Sequence, residues 1–282
     1  MWLATGSFDG MGARMSSSIA LVGPVRAHAV TREHLIVDSR VLAPTAHEAG
    51  VANLYLLSQG RLELDDGRWL DAPIGLALLE SEFERPARGA RWFRVRDGAS
   101  IDLRVPSHML GVRAGIARGP IALTAATHAA AESLLRAPRT EAVADLLRAL
   151  ADASLVTRAA LDPLGATEPR FAATWAGLSS AYGLHATGLD HKGLGRLVAM
   201  PLRTLQRELH DLYASAGLAD GFRSTTRWVR LRRAAVLLSA PTATIASVAA
   251  IVGYGSVDAL ARAFRDVALP TPGEVRALLS RG

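Results

Sequence analysis

The sequence predicts a two-part α+β protein, with an N-terminal β-barrel plus helices and a C-terminal all-α part in which a linker helix joins two helix-turn-helix units. Residues from about Ile19 to Leu123 form short apolar runs of strand length, separated by turn signals. From Thr124 onward apolar residues recur at helical spacing, and the last hundred residues repeat a helix–turn–helix pattern. The length of 282 residues also fits about two domains.

Glycine-containing dipeptides separate the predicted strands. Asp66-Gly67 stands between Leu64 and Trp69 and predicts a β-hairpin. Gln59-Gly60 and Asp97-Gly98 are interpreted as two further turns. Many short strands at this spacing are typical of a sandwich or a small barrel.

A helix is predicted to begin at Thr140. It carries one apolar stripe, made of Val143, Leu146, Leu147 and Leu150. The stripe fits either core packing or the seam of a homodimer, and its spacing does not distinguish them. Two prolines and a glycine over residues 162–169 predict a linker after this helix.

Composition excludes several chemistries and localises the charge. With no cysteine, disulfides, Cys-ligated zinc, iron–sulfur clusters and a thiol nucleophile are excluded. The chain carries a net charge of +6, and residues 180–282, with 13 basic and 7 acidic side chains, hold the whole excess. This segment fits a polyanionic partner or a solvated basic face. The uncharged run from Ala234 to Val257 is interrupted by Pro241, so no membrane span is predicted, and we expect a cytoplasmic location.

The two C-terminal units share one layout. The first has a short apolar helix over residues 194–200 and a polar helix over residues 201–209. The second repeats this over residues 245–255 and 256–265, and Gly253 suits the positive φ of its turn. Pro201 is expected at the first helical position, and Ser256 is expected as an N-cap. In such units the second helix enters the DNA major groove.

A long helix from about Gly221 to Ala240 is predicted to join the two units. Its inner face is expected to carry Trp228, Leu231, Ala235 and Leu238. The remaining surface is expected to be crowded by Arg227, Arg230, Arg232 and Arg233.

With these residues in register, the segment from about Leu189 to Leu279 resembles the AraC/XylS family of transcription regulators. The matching residues are Arg203-Thr204-Leu205-Gln206-Arg207, Arg230-Leu231-Arg232-Arg233-Ala234, Leu237-Leu238, Ile245, Val248-Ala249, Val252-Gly253-Tyr254, Arg262-Ala263-Phe264-Arg265, Thr271-Pro272 and Arg276. Three positions depart from the family pattern. Pro201 replaces a usual serine, Leu269 a usual glycine and Gly195 a usual alanine.

The resemblance implies which residues contact double-stranded DNA. Base contacts are expected from Arg203, Gln206 and Arg207, because Arg pairs bidentately with guanine and Gln with adenine. In the second unit Val257 can contact only a thymine methyl group, and Asp258 can accept from a cytosine amine but repels phosphate. We therefore expect the first unit to dominate base readout. The full expected contact set is Pro201, Leu202, Arg203, Gln206, Arg207, Ser256, Val257, Asp258, Arg262 and Arg265.

The N-terminal part resembles the cupin superfamily of small β-barrels through Gly67 and Pro73-Ile74-Gly75. Leu78 stands where metal cupins carry a histidine, and no His-x-His pair exists in the chain, so neither a metal nor another cofactor is expected. His28, His34 and His47 are expected to be hydrogen-bonded or solvated. An effector pocket or the core could use the aromatic residues Trp69, Phe83, Trp92 and Phe93.

Together these observations predict three segments and one function. Residues 1–123 are expected to form a cupin-like effector-binding or dimerisation domain, residues 124–165 a helical dimerisation and linker segment, and residues 166–282 the AraC-type DNA-binding domain. The expected function is sequence-specific transcription regulation under small-molecule control. Two alternatives stay open: a regulator whose N-terminal domain is purely structural, and a DNA-directed enzyme. A homodimer and contact with RNA polymerase also stay open.

Overall fold

The structure, a computed structural model, describes residues 1–41, 50–78, 92–117, 119–165, 169–182, 190–218 and 221–280. Its N-terminal part is built on one antiparallel sheet. The strands are β1 (Trp2–Gly10), β2 (Ala13–Val22), β3 (Val25–Asp38), β4 (Val51–Leu64), β5 (Trp69–Asp71), β6 (Ile74–Leu78), β7 (Phe93–Pro106) and β8 (Pro120–Ala122).

The strand order is β1-β2-β3-β7-β4-β6-β8, with β5 paired to β4. Among the described residues β1 and β8 end this order without pairing to each other, so the sheet is open and barrel-like. The predicted fold class is confirmed. The Asp66-Gly67 hairpin is also confirmed, because β4 and β5 pair antiparallel on either side of it.

Two predicted turns are wrong. Gly60 lies inside β4 and Gly98 inside β7, at positive φ values of 100° and 86°. The register of β4 against β7 shifts beside Gly60, so the glycines mark bulges that bend long strands. Any side chain at Gly98 would collide with the Gln59 carbonyl oxygen, 2.1 Å from an added Cβ.

The predicted start of the strands at Ile19 is also wrong. β1 and the first part of β2 precede it, and these two strands pair from Trp2 to Leu21 through a tight hairpin. Met11 and Gly12 form that turn with φ values of 54° and 71°, which is the two-residue geometry that matches strand twist. The serines and glycines of these strands hide the apolar alternation that marks a strand in sequence.

All α-helices except the first follow the last strand of the sheet in chain order. The α-helices are α1 (Val112–Gly115), α2 (Ala125–Arg136), α3 (Thr140–Asp152), α4 (Ala172–Tyr182), α5 (His191–Leu197), α6 (Leu202–Ser215), α7 (Gly221–Leu237), α8 (Ile245–Ile251), α9 (Val257–Arg265) and α10 (Pro272–Ser280). Short 3-10 helices cover Ser107–Met109, Arg158–Gly165 and Pro169–Phe171. The predicted linker is therefore partly helical, and α7 ends three residues before the predicted Ala240.

One face of the sheet packs against α2 and α3. Ala27, Leu54 and Leu103 are cross-strand neighbours in this core. The predicted stripe of α3 lies in the same core, with 0% exposure of Val143, Leu146, Leu147 and Leu150. Core packing is confirmed for the stripe. A homodimer seam through it is wrong, because the chain's own sheet and helices cover these side chains.

The opposite face packs against the C-terminal helices in two places. Met15 and Val30 share a core with Phe264 of α9. Leu21 shares a second core with Trp175 of α4 and with side chains of α6. Both helix-turn-helix units are therefore packed onto the sheet, although the sequence predicts separate domains.

Candidate nucleic-acid interface

The first helix-turn-helix unit consists of α5 and α6. Asp190 caps α5, since its carboxylate accepts a hydrogen bond from the Gly193 backbone N–H at 2.7 Å. Leu194 and Leu205 are fully buried and join the two helices in one core. Ala199 makes the turn with φ of 51°, a conformation that costs a non-glycine residue free energy.

The second unit consists of α8 and α9. Thr244 and Ser247 form a capping box at the start of α8. Gly253 makes the turn with φ of 79°, which confirms the predicted role of this glycine. Leu260 and Phe264 are fully buried and anchor α9.

The starts of the two second helices differ. Ser256 is the N-cap of α9 and accepts a hydrogen bond from the Ala259 backbone N–H at 3.1 Å, as predicted. Pro201 is the N-cap of α6, with ψ of 138°, so its predicted place as the first helical residue is wrong by one position. Its fixed φ of −58° suits either position, and the sequence alone does not separate them.

Every residue of the expected DNA-contact set is exposed. On α6, Arg203, Gln206 and Arg207 follow one another at helical spacing and share one side of the helix. Leu205, on the other side of α6, is buried in the core, so the side that carries the three polar residues faces solvent. The full exposed set is Pro201, Leu202, Arg203, Gln206, Arg207, Ser256, Val257, Asp258, Arg262 and Arg265.

The four arginines that the sequence places on the surface of the linker helix, Arg227, Arg230, Arg232 and Arg233, are each bonded to other parts of the fold, which corrects that interpretation. Arg227 pairs with Asp266 at 3.0 Å. Arg230 donates to the Val252 carbonyl oxygen at 2.6 Å and to the Gly253 carbonyl oxygen. These bonds hold the turn of the second unit against α7.

Of the remaining two of these four arginines, Arg233 is buried and Arg232 lies at the junction with the sheet. Arg233, only 6% exposed, donates to the backbone carbonyl oxygen of Tyr182 at the end of α4. Arg232, whose side chain is 21% exposed, pairs with the buried Asp102 of β7, and this ion pair joins the linker helix to the sheet. These four arginines therefore hold parts of the fold together. The apolar residues predicted for the inner face, Leu231, Ala235 and Leu238, are buried as expected.

His28 lies beside this ion pair, directly across from Asp102 in the sheet. Its Nε2 atom is 2.8 Å from the Ser17 hydroxyl oxygen. Burial and the guanidinium of Arg232 lower the pKa of His28 to about 3. Burial alone would raise the pKa of Asp102, but Arg232 and Arg104 outweigh burial and lower it to about 2. At neutral pH a neutral histidine therefore faces a charged carboxylate.

The same sheet face carries a row of buried polar side chains that sequence reasoning missed. Asn53 and Tyr55 of β4 lie across from Arg104 and Asp102 of β7. Arg32 of β3, 5% exposed, reaches the Tyr55 hydroxyl at 3.5 Å, and its Nε has no hydrogen-bond partner among the described residues. The same holds for Asn53 Oδ1 and Asp102 Oδ1 within that part of the chain.

The remaining sequence candidates are placed as follows. Trp69 is 49% exposed, Phe93 is buried 5.1 Å from the Tyr55 ring, and the Arg40 guanidinium lies 3.9 Å above Trp92. His34 is exposed. Phe83 and His47 lie outside the described residues. Within the described ranges no group of His, Asp and Glu side chains is arranged to hold a metal ion.

Comparison with known proteins identifies the C-terminal segment. A family model described as a helix-turn-helix domain matches residues 194–277, which span α5 to α10. The C-terminal part of this chain is a helix-turn-helix domain of the AraC type. Domains of this type bind DNA, and the match supports a DNA-binding transcription regulator.

Similar solved structures are more distant. ToxT from Vibrio cholerae is 10% identical, with a TM-score of 0.37, over 92% of this chain and 99% of that one. ToxT with an unsaturated fatty acid bound is 9% identical, with a TM-score of 0.36, over 99% and 95%. The AraC-like transcriptional activator CuxR is 16% identical, with a TM-score of 0.31, over 81% and 85%. At these TM-scores the likeness carries no functional conclusion. The curated protein sequences give no significant match.

No helix among the described residues is long and apolar enough to cross a membrane. The uncharged run that begins at Ala234 covers the last residues of α7, the following turn and α8. Its apolar side chains belong to the core of the second unit.

Proposed function

We propose that this chain is a sequence-specific transcription regulator that inserts α6 and α9 into two successive major-groove segments of double-stranded DNA. The observation that carries the proposal is the exposure of the whole expected contact set on two helices whose other sides are buried. Two such helices on one scaffold match sites about 34 Å apart, one turn of the duplex.

The first unit is proposed to supply most of the base readout. Arg203, Gln206 and Arg207 project three hydrogen-bonding side chains from one side of α6. On α9 the first exposed residues are Val257 and Asp258, which offer a thymine-methyl contact and a single acceptor that repels phosphate. The second unit is thus suited mainly to positioning.

A binding assay with a matched pair of variants tests this division. We expect Arg203→Ala to reduce discrimination between cognate and substituted duplexes by about 1–3 kcal/mol. Arg262→Ala is expected to weaken binding to all duplexes alike. If Arg262→Ala reduced discrimination more than Arg203→Ala, the division between the units would be reversed.

Control by a small molecule is the second part of the proposal. A buried guanidinium without a carboxylate partner is costly, and within the described ranges Arg32 has none. The unpaired oxygen of Asn53 lies on the same sheet face, next to the ion pair that holds α7. An effector with an anionic group bound here would satisfy Arg32 and contact the junction between sheet and reader.

Thermal-shift measurements with a panel of small carboxylates and other anions test the effector site. We expect at least one compound to raise Tm of the full chain and Arg32→Met to abolish the rise. Arg14→Met is the control, since Arg14 lies on neighbouring β2 but is 67% exposed and paired with Glu33. If no compound shifts Tm, the alternative of a purely structural N-terminal domain is favoured.

Regulation is proposed in preference to catalysis. DNA-directed repair enzymes that accept methyl groups need an activated thiolate, and the chain contains no cysteine. Contact with RNA polymerase and a homodimer stay predictions. Light scattering of the full chain tests the homodimer, which would need a surface other than the buried stripe of α3.

A further inference from the structure

A cleft of about 450 Å³ separates the two helix-turn-helix units. The first half of α7 lines it together with the start of α5 and one side of α9. Tyr254 adds a wall, and the Arg230 guanidinium is 4.2 Å from its ring centroid. Because Arg230 is also bonded to the Val252 carbonyl oxygen, this wall is fixed to α7.

Some charged side chains that line the cleft already have a partner within the described ranges, and others do not. Asp266 is paired with Arg227, and Asp190 is used as the cap of α5. Arg223 and Arg262 also line the cleft, and both are exposed. Neither side chain has a hydrogen bond or ion pair in the part of the chain that the structure describes. Among the described residues that line the cleft, Arg223 and Arg262 therefore carry guanidinium groups without a side-chain partner, while Asp266 is paired and Asp190 is used as a cap.

The location of the cleft indicates what would face it. Arg262 belongs to α9, whose exposed side is proposed to enter one major-groove segment, and the cleft continues from it toward the first unit. Between two major-groove segments on one face of a duplex lies a minor groove, bordered by two sugar-phosphate strands. Guanidinium groups are the side chains best suited to phosphate oxygens.

We propose that this cleft holds the sugar-phosphate backbone between the two major-groove segments, with Arg223 and Arg262 each contacting a phosphate. This inference rests on the proposed function and adds Arg223, which the sequence interpretation did not select. It also assigns Arg262 to positioning the duplex, whereas base discrimination stays with α6. Such contacts set register and affinity without reading sequence.

The salt dependence of affinity tests the proposal in the full-length chain. Each phosphate contact adds about 0.9 to the slope of log K against log salt concentration. We expect Arg223→Gln and Arg262→Gln each to reduce the slope by about that amount and to weaken cognate and random duplexes by the same factor. Arg148→Gln is the control: it removes one exposed charge, 58% accessible, from α3 and should leave the slope unchanged.

A modified duplex locates the contact. Neutral methylphosphonates in place of the phosphates that border the central minor groove should weaken wild-type binding by the same factor as the arginine variants. Arg223→Gln should then lose nothing further on this duplex. Additive losses, an unchanged slope or a loss confined to one sequence would each overturn the proposed contact.

The outcomes also separate this inference from the proposed function. A wild-type chain that prefers particular duplexes, combined with an unchanged slope for Arg223→Gln, contradicts the cleft contact alone. A chain without sequence preference whose slope still falls in Arg223→Gln contradicts sequence-specific readout and leaves the phosphate contact supported.

Discussion

At the scale of single residues, two alanines carry backbone strain in the C-terminal domain. Ala199 and Ala268 have φ values of 51° and 58°. The family pattern places a glycine at Leu269, one residue after Ala268, and Leu269 is buried in the core of the second unit. In this chain Leu269 fills that core position, and the left-handed conformation is adopted by Ala268 just before it. The sequence could not show this, because the packing of Leu269 decides it.

Replacing a strained alanine by glycine should stabilise the fold. Ala199→Gly is expected to raise the free energy of unfolding by about 1 kcal/mol, because glycine adopts positive φ without steric cost. Urea unfolding measures the change. Ala129→Gly is the control, since Ala129 is exposed inside α2, and there glycine should cost about 1 kcal/mol. A loss of stability in both variants would show that Ala199 is not strained.

At the scale of elements, sequence periodicity predicted the helices, but it did not predict which groups the arginine side chains on those helices would bind. The capping residue Ser256 and the buried stripe of α3 are local signals, and both agree with the structure. The sequence predicts Arg230 and Arg232 on the outer surface of the linker helix. Their partners, the Val252 carbonyl oxygen and Asp102, come from the second unit and from β7, so only the assembled fold reveals them.

The contact between β3, β7 and α7 should be sensitive to acid. The pKa of His28 falls from an ordinary 6.5 to about 3 in the folded chain, so folding favours the neutral ring. Stability is then complete above about pH 6.5 and decreases as the pH falls, by about 1.4 kcal/mol per unit, until His28 is protonated in the folded state. Below pH 3.8 the lowered pKa of Asp102 adds a second loss in the same direction.

Unfolding free energies between pH 7 and about pH 4 check this dependence. His28→Gln keeps hydrogen-bonding groups near Ser17 but removes the titrating ring, so its stability should vary much less over this range. Wild-type and variant curves of equal slope would mean that His28 does not couple protonation to folding.

At the scale of the whole molecule, the structure joins segments that the sequence separated. The sequence predicts a boundary near residue 166, yet the cores that contain Met15 and Leu21 extend into the C-terminal helices. Contacts between distant segments leave no local pattern, which explains why the sequence indicated two parts but not their shared packing.

Shared cores predict cooperative unfolding. Differential scanning calorimetry of the full chain should show a single transition, because exposing either half uncovers apolar side chains of the other. Leu21→Ala, which leaves a cavity only in the core beneath α4 and α6, should lower the temperature of that one transition. Two separated transitions in the wild type would indicate halves that fold independently.

The central claim, readout of two successive major-groove segments, is tested most directly by capturing sheared genomic DNA with the purified full-length chain and sequencing it. We predict discrete sites containing two half-sites about one helical turn apart, and Arg203→Ala should lose these sites while Arg148→Ala retains them. Captured DNA with no shared sequence, equal for both variants, would contradict sequence-specific reading by α6 and α9.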